Sequence, residues 1–501
     1  MLGMLLAAAG AVHAQDASGQ AAGAQRSAAL TPRFSSTVTL TDNVQPGSQI
    51  KDGAVVVQLS PGLNFSSNAG RVRGFLDYSL NSISYLKSTA GSRLQNALSA
   101  ALTLEAIDNW AYMDLRSSIS QQPISAFGVQ SSDNSLSNPN RAEVWSLSVS
   151  PYVRGNLAGV AHYETRVNLA TTNTRNSSVG DSTTRGAQFS LGGLSRGSLL
   201  NWSASALTQK VDFKQGRSND TASAQATLTL AAHQDLQLSA SGGRESNNYV
   251  SVNSQSNSTY GLGMNWTPTE RTKFSAQANH RFFGNGHNLS FEHRFAKSIW
   301  RISDSKDVST NTGQPGAASL GTNYDLFYSL FASQVPDAAQ RAIYTSNFLQ
   351  QRGINPSAVA VGGFLSSAAS LIRRQEVSYA LSGVRDTVTL SATRSETRRL
   401  GQPADAQGDL ANSNLVVQHG ISLGLSHRLT PTSAANLTFS QQNTSGALVN
   451  QVSTLRSVLA NWSATLGART TVMLGARYVS YNATLNSYHE KAIYSSLTRL
   501  F

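Results

Sequence analysis

Charged side chains spaced two residues apart are the features of this chain that could do chemistry. His162, Glu164 and Arg166 form one such run, and Glu292 with Arg294 forms another. Residues i and i+2 of a strand share a face, so each run gathers acid, base or cation on one surface. An imidazole beside a carboxylate can move protons, and a serine on a neighbouring strand would complete a hydrolase. The motifs that fix such chemistry are missing. No His-Glu-x-x-His, Gly-x-Ser-x-Gly or phosphate-cradling glycine loop occurs, and the 9 His are dispersed. Opposite charges on an inward strand face more often pair with each other, which satisfies buried charge. The chain therefore reads as non-enzymatic, with no catalytic, metal-binding or cofactor-binding residues.

The elements that position these residues are strands. In residues 71 to 86, Val72, Leu76, Tyr78, Leu80 and Leu86 fall on even positions, and Arg71, Arg73, Asp77, Ser79 and Asn81 on odd ones. The same alternation recurs from Phe34 to Phe501, interrupted by turn-like clusters. Short connections (Ser67 to Gly70, Asp108-Asn109, Gly155-Asn156 and onward to Gly467 to Arg469) alternate with longer polar ones such as 43 to 53 and 121 to 141. Ten short and eleven long connections make 22 strands, an even number that returns both ends to one side, as outer-membrane barrels require. The expected fold is all-β, a single closed antiparallel transmembrane barrel of about 22 strands. Leu102, Leu415, Leu423 and Leu425 belong to its outward sets, and Trp110, Tyr112, Trp202, Trp266, Trp300 and Tyr478 are girdle candidates. The inward charges, which would line a polar lumen, are Arg71, Arg73, Asp77, Glu105, Asp114, Arg116, Arg154, His162, Glu164, Arg166, Glu292, Arg294 and Arg428.

Composition supports a barrel over the alternatives. Hydrophobic residues make up 40% and charged residues 13% of the chain, against about 25% charged in soluble domains. No apolar run approaches the roughly 18 residues of a spanning helix. Cys is absent, which excludes disulfides and a lipid-anchored cysteine and suits passage through an oxidising periplasm. The net charge of +12 is scattered without basic clusters, so nucleic acid is not an expected partner. Lipopolysaccharide phosphates and anionic solutes are.

Residues 1–14 read as a signal peptide without the usual basic start, with Val12-His13-Ala14 as the cleavage site. The Met at position 1 need not be the true start. Residues 15–33 read as a flexible periplasmic N-terminus and 34–501 as the barrel. Within it, 308–372 is a long, partly helical extracellular loop. Tyr324 to Phe331 is aromatic and apolar, and Pro336 to Arg352 has a helix start and a Gly353 stop. Such a segment would constrict the lumen or cap the mouth. Ile493, Leu497 and Phe501 are the expected assembly signal for the barrel-assembly machinery, although Arg499 departs from the usual terminal pattern.

Leu59-Ser60-Pro61-Gly62-Leu63, His293-Arg294, Trp300-Arg301-Ile302-Ser303, Arg373-Arg374 and Ser426-His427-Arg428-Leu429-Thr430-Pro431 together resemble the outer-membrane β-barrel family associated with the PEP-CTERM/exosortase system. The resemblance covers most of the chain and rests on soft motifs. It implies a bacterial outer-membrane location and a link to exopolysaccharide export, with polysaccharide-export components as partners and no known reaction. The leading expectation is a non-enzymatic pore or scaffold. A general or anion-preferring porin is the alternative, and an outer-membrane hydrolase the enzyme alternative. An energy-coupled receptor would need a plug domain, for which about 18 residues before the first strand leave no room.

Overall fold

In the computed structural model, 22 strands form one sheet in which each strand pairs with its sequence neighbours, and the first pairs with the last. The structure describes residues 28–48, 50–67, 70–193, 198–310, 323–335, 341, 344, 345, 348, 349, 363–467, 469–484 and 486–501. The signal-peptide reading lies outside them. Closure joins β1 (Ala28–Thr41) to β22 (Tyr488–Leu500), from Arg33 opposite Leu500 to Thr41 opposite Ala492. No strand edge is left open along this seam, which matters because hydrocarbon offers backbone amides no partner. A closed antiparallel barrel with an apolar outer face is an outer-membrane structure.

The barrel starts earlier than expected. Residues 28 to 33, assigned to a flexible N-terminus, pair with Gly62 to Ser67 of β2 (Ala54–Ser67). The Phe501 amide also donates to the Pro32 carbonyl at 2.9 Å. β14 (Gly284–Arg294) and β15 (Ser298–Ser309) are separate strands joined by a short turn. One turn is displaced. The turn placed at Gly155-Asn156 lies at residues 158 to 160, between Leu157 and Ala161, with Ala158 at φ 47° and Gly159 at φ 73°. Gly155 is extended and serves another end: a Cβ there would sit 3.0 Å from the Tyr163 ring. Phe282-Phe283 form a two-residue hairpin between Arg281 and Gly284.

Outward faces carry the aliphatic side chains and most of the expected girdle. Trp110, Trp202, Trp266, Trp300 and Trp462 are all well exposed and cluster near the short-turn ends of their strands. Tyr112 is an exception, being only 8% exposed and turned inward. Ile493, Leu497 and Phe501 lie exposed on or beside the last strand. On β18 (Leu415–Thr430), Leu423 sits between Leu390 and Phe439, while Ser422 faces inward between Ser391 and Ser440. Leu423→Arg is therefore expected to cost about 2–4 kcal/mol of barrel stability if near the midplane, whereas Ser422→Arg keeps its charge in the polar lumen. Heat-modifiability on gels, comparing the two variants, checks this; equal loss would show that the two faces are reversed.

Candidate functional site

Near the short-turn end, the inner wall is built from paired charge. Arg33 on β1 donates to both oxygens of Asp77 at 2.8 and 2.5 Å. Two strands further on, β5 (Ala111–Pro123), β6 (Arg141–Leu157) and β7 (Ala161–Thr174) align a four-layer stack. Tyr112 and Tyr152 are parallel at 5.1 Å. Arg154 covers Tyr112 at 4.4 Å, and Arg166 covers Tyr152 at 3.9 Å. Arg166 also pairs with Asp114 at 2.7 Å and Glu164 at 3.0 Å. Registry explains the stack, since Tyr112 lies opposite Tyr152 and Tyr152 opposite Arg166. Rings buried under guanidinium groups hold the wall rigid, and Arg154, itself exposed, presents the outermost cation.

The other sequence-derived positions divide plainly. Glu105 accepts from the Asn109 amide at 2.7 Å, Arg73 approaches it at 3.9 Å, and Arg116 is exposed on the Asp114 face. His162 lies across Gly192, where any Cβ would be 2.3 Å from its ring. That packing, not proton transfer, explains the glycine. Glu292 pairs with Arg301 at 3.0 Å, and Arg294 approaches it at 4.0 Å. Arg71 does not line the lumen. Arg71 is a turn residue paired with exposed Asp108 at 3.0 Å, and Arg428 braces the adjacent turn through the Val384 carbonyl at 2.9 Å. Arg71 sits where a hairpin gives way to a strand, so period two does not fix its direction, whereas Arg428 is still in register opposite Ala434. Among the described residues, no group of three or more His, Asp or Glu side chains is arranged to hold a metal ion.

The long connection enters the lumen. Its strands end on the long-loop side, at Ser309 of β15 and Ser370 of β16 (Ser370–Ser382). Yet α1 (Asn323–Leu330) packs near their opposite ends. Leu326, Phe327, Leu330, Phe331 and Leu349 form one buried cluster with Ile299 and Ala380 of the wall. The Ser329 hydroxyl accepts from Arg301 at 2.6 Å, and its carbonyl accepts from Arg294 at 3.5 Å. The expected helix from Pro336 falls largely outside the described residues, although Arg341, Tyr344, Thr345, Phe348 and Leu349 are helical.

A second obstruction has no apolar signature in the sequence. Residues 124 to 140 bend into the mouth and contribute to three separate clusters: Leu136 with Val44, Val56, Ile83 and Tyr85; Ala126 with Ala406, Leu410 and Val416; Val129 with Val479, Tyr481 and Tyr488. Tyr85, Tyr481 and Tyr488 each donate a hydroxyl to backbone carbonyls of this loop. Its polar bolt is Arg477 on β21 (Thr470–Ala483), which pairs with Asp133 of the loop and donates to Glu490 of β22 at 3.0 and 2.6 Å. Glu490 is fully buried and also accepts from Thr41 at 3.0 Å. Burial, the largest influence on Asp133, pushes its carboxyl up, but Arg477 and Ser135 outweigh it and hold it below the usual range. At the loop's other end, burial pushes Asp409 up, although the Ser125 hydroxyl and Ala126 amide donate to it at 2.6 Å each.

The closed wall, apolar exterior and charged interior define the class: a transmembrane β-barrel of the outer membrane. No protein-family model matches the sequence, and none of the curated proteins matches it. Among solved structures, the chain is similar to a mutant of the ferric enterobactin receptor from Pseudomonas aeruginosa, at 11% identity over 94% of this chain and 81% of that one, with a TM-score of 0.46. It is similar also to the siderophore receptor PirA from Acinetobacter baumannii, at 10% identity over 94% and 80%, with a TM-score of 0.45. A third is the FrpB iron transporter from Neisseria meningitidis, at 11% identity over 94% and 81%, with a TM-score of 0.38.

Proposed function

We propose that this barrel is a non-enzymatic, self-obstructed conduit of the outer membrane that serves the export of extracellular polysaccharide, in the setting of the PEP-CTERM system. The observation that carries the reading is the luminal wall around Tyr112, Tyr152, Arg154 and Arg166, a polar surface of mixed charge ending in an exposed guanidinium. Hydroxylated polymers need many weak polar contacts with release at each one, and acidic sugars add a carboxylate that guanidinium groups receive. Arg73, Arg116 and Arg428 continue the basic character toward the short-turn rim. The segments quoted above as resembling the PEP-CTERM-associated barrels supply the biological setting. An open general porin is the weaker reading, because α1 and residues 124 to 140 both narrow the passage. Barrel-assembly machinery would recognise Ile493, Leu497 and Phe501, and lipopolysaccharide would contact the outer rim. Removing the chain from its host should leave exopolysaccharide in the periplasm, and restoring it should return polymer to the medium. Normal secretion without the chain would overturn the export reading.

A further inference from the structure

One pair of neighbouring strands comes apart below the outer rim. In β4 (Arg93–Ile107) and β5, the ladder runs from Ile107 opposite Ala111 up to Leu98 opposite Ile119, and stops there. Residues 93 to 97 and 120 to 123 are strand on both sides, yet they do not pair with each other. An unpaired amide facing this gap would be costly at the membrane boundary. It is satisfied from an unusual source: Glu143 of β6 reaches past β5, and its carboxylate accepts from the Asn96 amide at 2.7 Å. The same carboxylate takes the side chains of Asn96 and Gln121, at 3.3 and 3.5 Å, and Arg175 lies 3.9 Å away.

The gap opens a cleft of about 520 Å³ that holds residues of both faces. Leu94, Gln121, Glu143 and Arg175 belong to its membrane side, and Arg93 with Gln95 to its inner side. Arg93 donates to the carbonyls of Asn134 and Leu136, and Arg141 to the Asn134 side chain and the Ser131 carbonyl. Those acceptors are all neutral. The Nε atoms of both arginines are buried with no partner, and among the described residues neither arginine has an ion-pair partner. Arg93, Arg141 and Arg175 thus line one cleft with a single carboxylate, Glu143, and Arg93 and Arg141 keep donor capacity unspent. The cleft lies on the long-loop side of the apolar pair Leu98 and Ile119, with the 56%-exposed Leu94 at its lip.

We propose that this cleft binds the phosphate headgroup of an outer-leaflet amphiphile. The headgroup enters from the membrane face, its chain lies along Leu94, and it takes the place that Glu143 holds near Arg93, Arg141 and Arg175. Two charge-assisted bonds to a phosphate are stronger than the neutral-acceptor bonds they supplement. The inference is independent of polymer export and rests only on the barrel and its membrane.

The chain contains no cysteine, so a staple across the cleft is free of side reactions. Continuing the register of Leu98 and Ile119 places Asn96 opposite Gln121. The full chain carrying Asn96→Cys and Gln121→Cys, in a neutral detergent, should bind dodecyl phosphate when reduced, as read by native mass spectrometry. Oxidation should lower that affinity at least about tenfold, the scale of one charge-assisted bond, and dithiothreitol should restore it. Because one preparation serves both states, a folding defect cannot imitate the result. Glu143→Gln should raise the affinity, an effect that a purely structural role would not produce, and Arg175→Gln should lower it, with recovery in Arg175→Lys. Inorganic phosphate alone should bind far more weakly than dodecyl phosphate. Binding indifferent to the staple, binding lost in Glu143→Gln, or equal binding of inorganic phosphate would each overturn the proposal.

Discussion

Deleting residues 320–356 is expected to raise single-channel conductance several-fold in planar bilayers while leaving membrane insertion intact. No strand is touched, since β15 ends at Ser309 and β16 begins at Ser370. What disappears is the aromatic mass of α1 and its neighbours, including Leu326, Phe327, Leu330 and Phe331, packed on Ile299 and Ala380. Each large apolar side chain gains roughly 1.5–3 kcal/mol by burial, so the segment stays docked rather than sampling the open lumen. The deletion leaves Arg294 and Arg301 facing water, where Glu292 still pairs with Arg301. A lumen of this strand number is too wide for its own wall to fill, and removal of the segment should show in the current. Unchanged conductance would mean that the passage is limited elsewhere.

Arg477→Met is expected to release the mouth loop. It leaves Glu490 fully buried without its cation, and Asp133 without the partner that holds it. Removing one member of a buried ion pair costs about 3–5 kcal/mol. Limited proteolysis should then cut within residues 124 to 140 and leave the same loop of the parent chain intact. The pH dependence gives a second signature. Asp133 has its carboxyl held below the ordinary range, so its contribution is present above the unfolded carboxyl pKa and is lost as pH falls through the folded value. Acid should therefore loosen the parent loop. In Arg477→Met the sign reverses, because protonation relieves carboxylates left without a cation. Loop cleavage that is unchanged by the substitution would remove Arg477 from the account.

The wall was legible because its rule is local. Alternating faces and alternating connection lengths fix strand number and order without any tertiary knowledge, and the parity follows from closure. The segment after Ser309 was legible for a related reason: Tyr324, Leu326, Phe327, Leu330 and Phe331 are too apolar for water. Residues 124 to 140 gave no such signal. Their order comes from Asn138, Asn140, Gln130 and Ser125, whose side chains bond to the loop's own backbone, and from tyrosines on strands more than 300 residues away in sequence. Arg477 and Glu490 could have been found by carrying the phase of Leu474 and Tyr478 one position along β21 and across to its partner. Tyr112 shows the opposite limit. Its place near a strand end suits a girdle, yet its phase with the inward Asp114 and Arg116 points it inside, and the register with Tyr152 and Arg166 shows what it stacks on there.

The central claim is that a connection leaving the long-loop side crosses the lumen and docks near the short-turn end. Ser329 tests it most directly, because its hydroxyl meets Arg301 at 2.6 Å while Trp300, one residue away, faces the membrane. In the cysteine-free chain, Ser329→Cys combined with Arg301→Cys should cross-link in high yield with a short bismaleimide in the folded barrel. Ser329→Cys combined with Trp300→Cys should not. A high yield for the first pair alone is the expected result; no cross-link at position 301, or equal yields at 300 and 301, would contradict the docking of α1 inside the barrel.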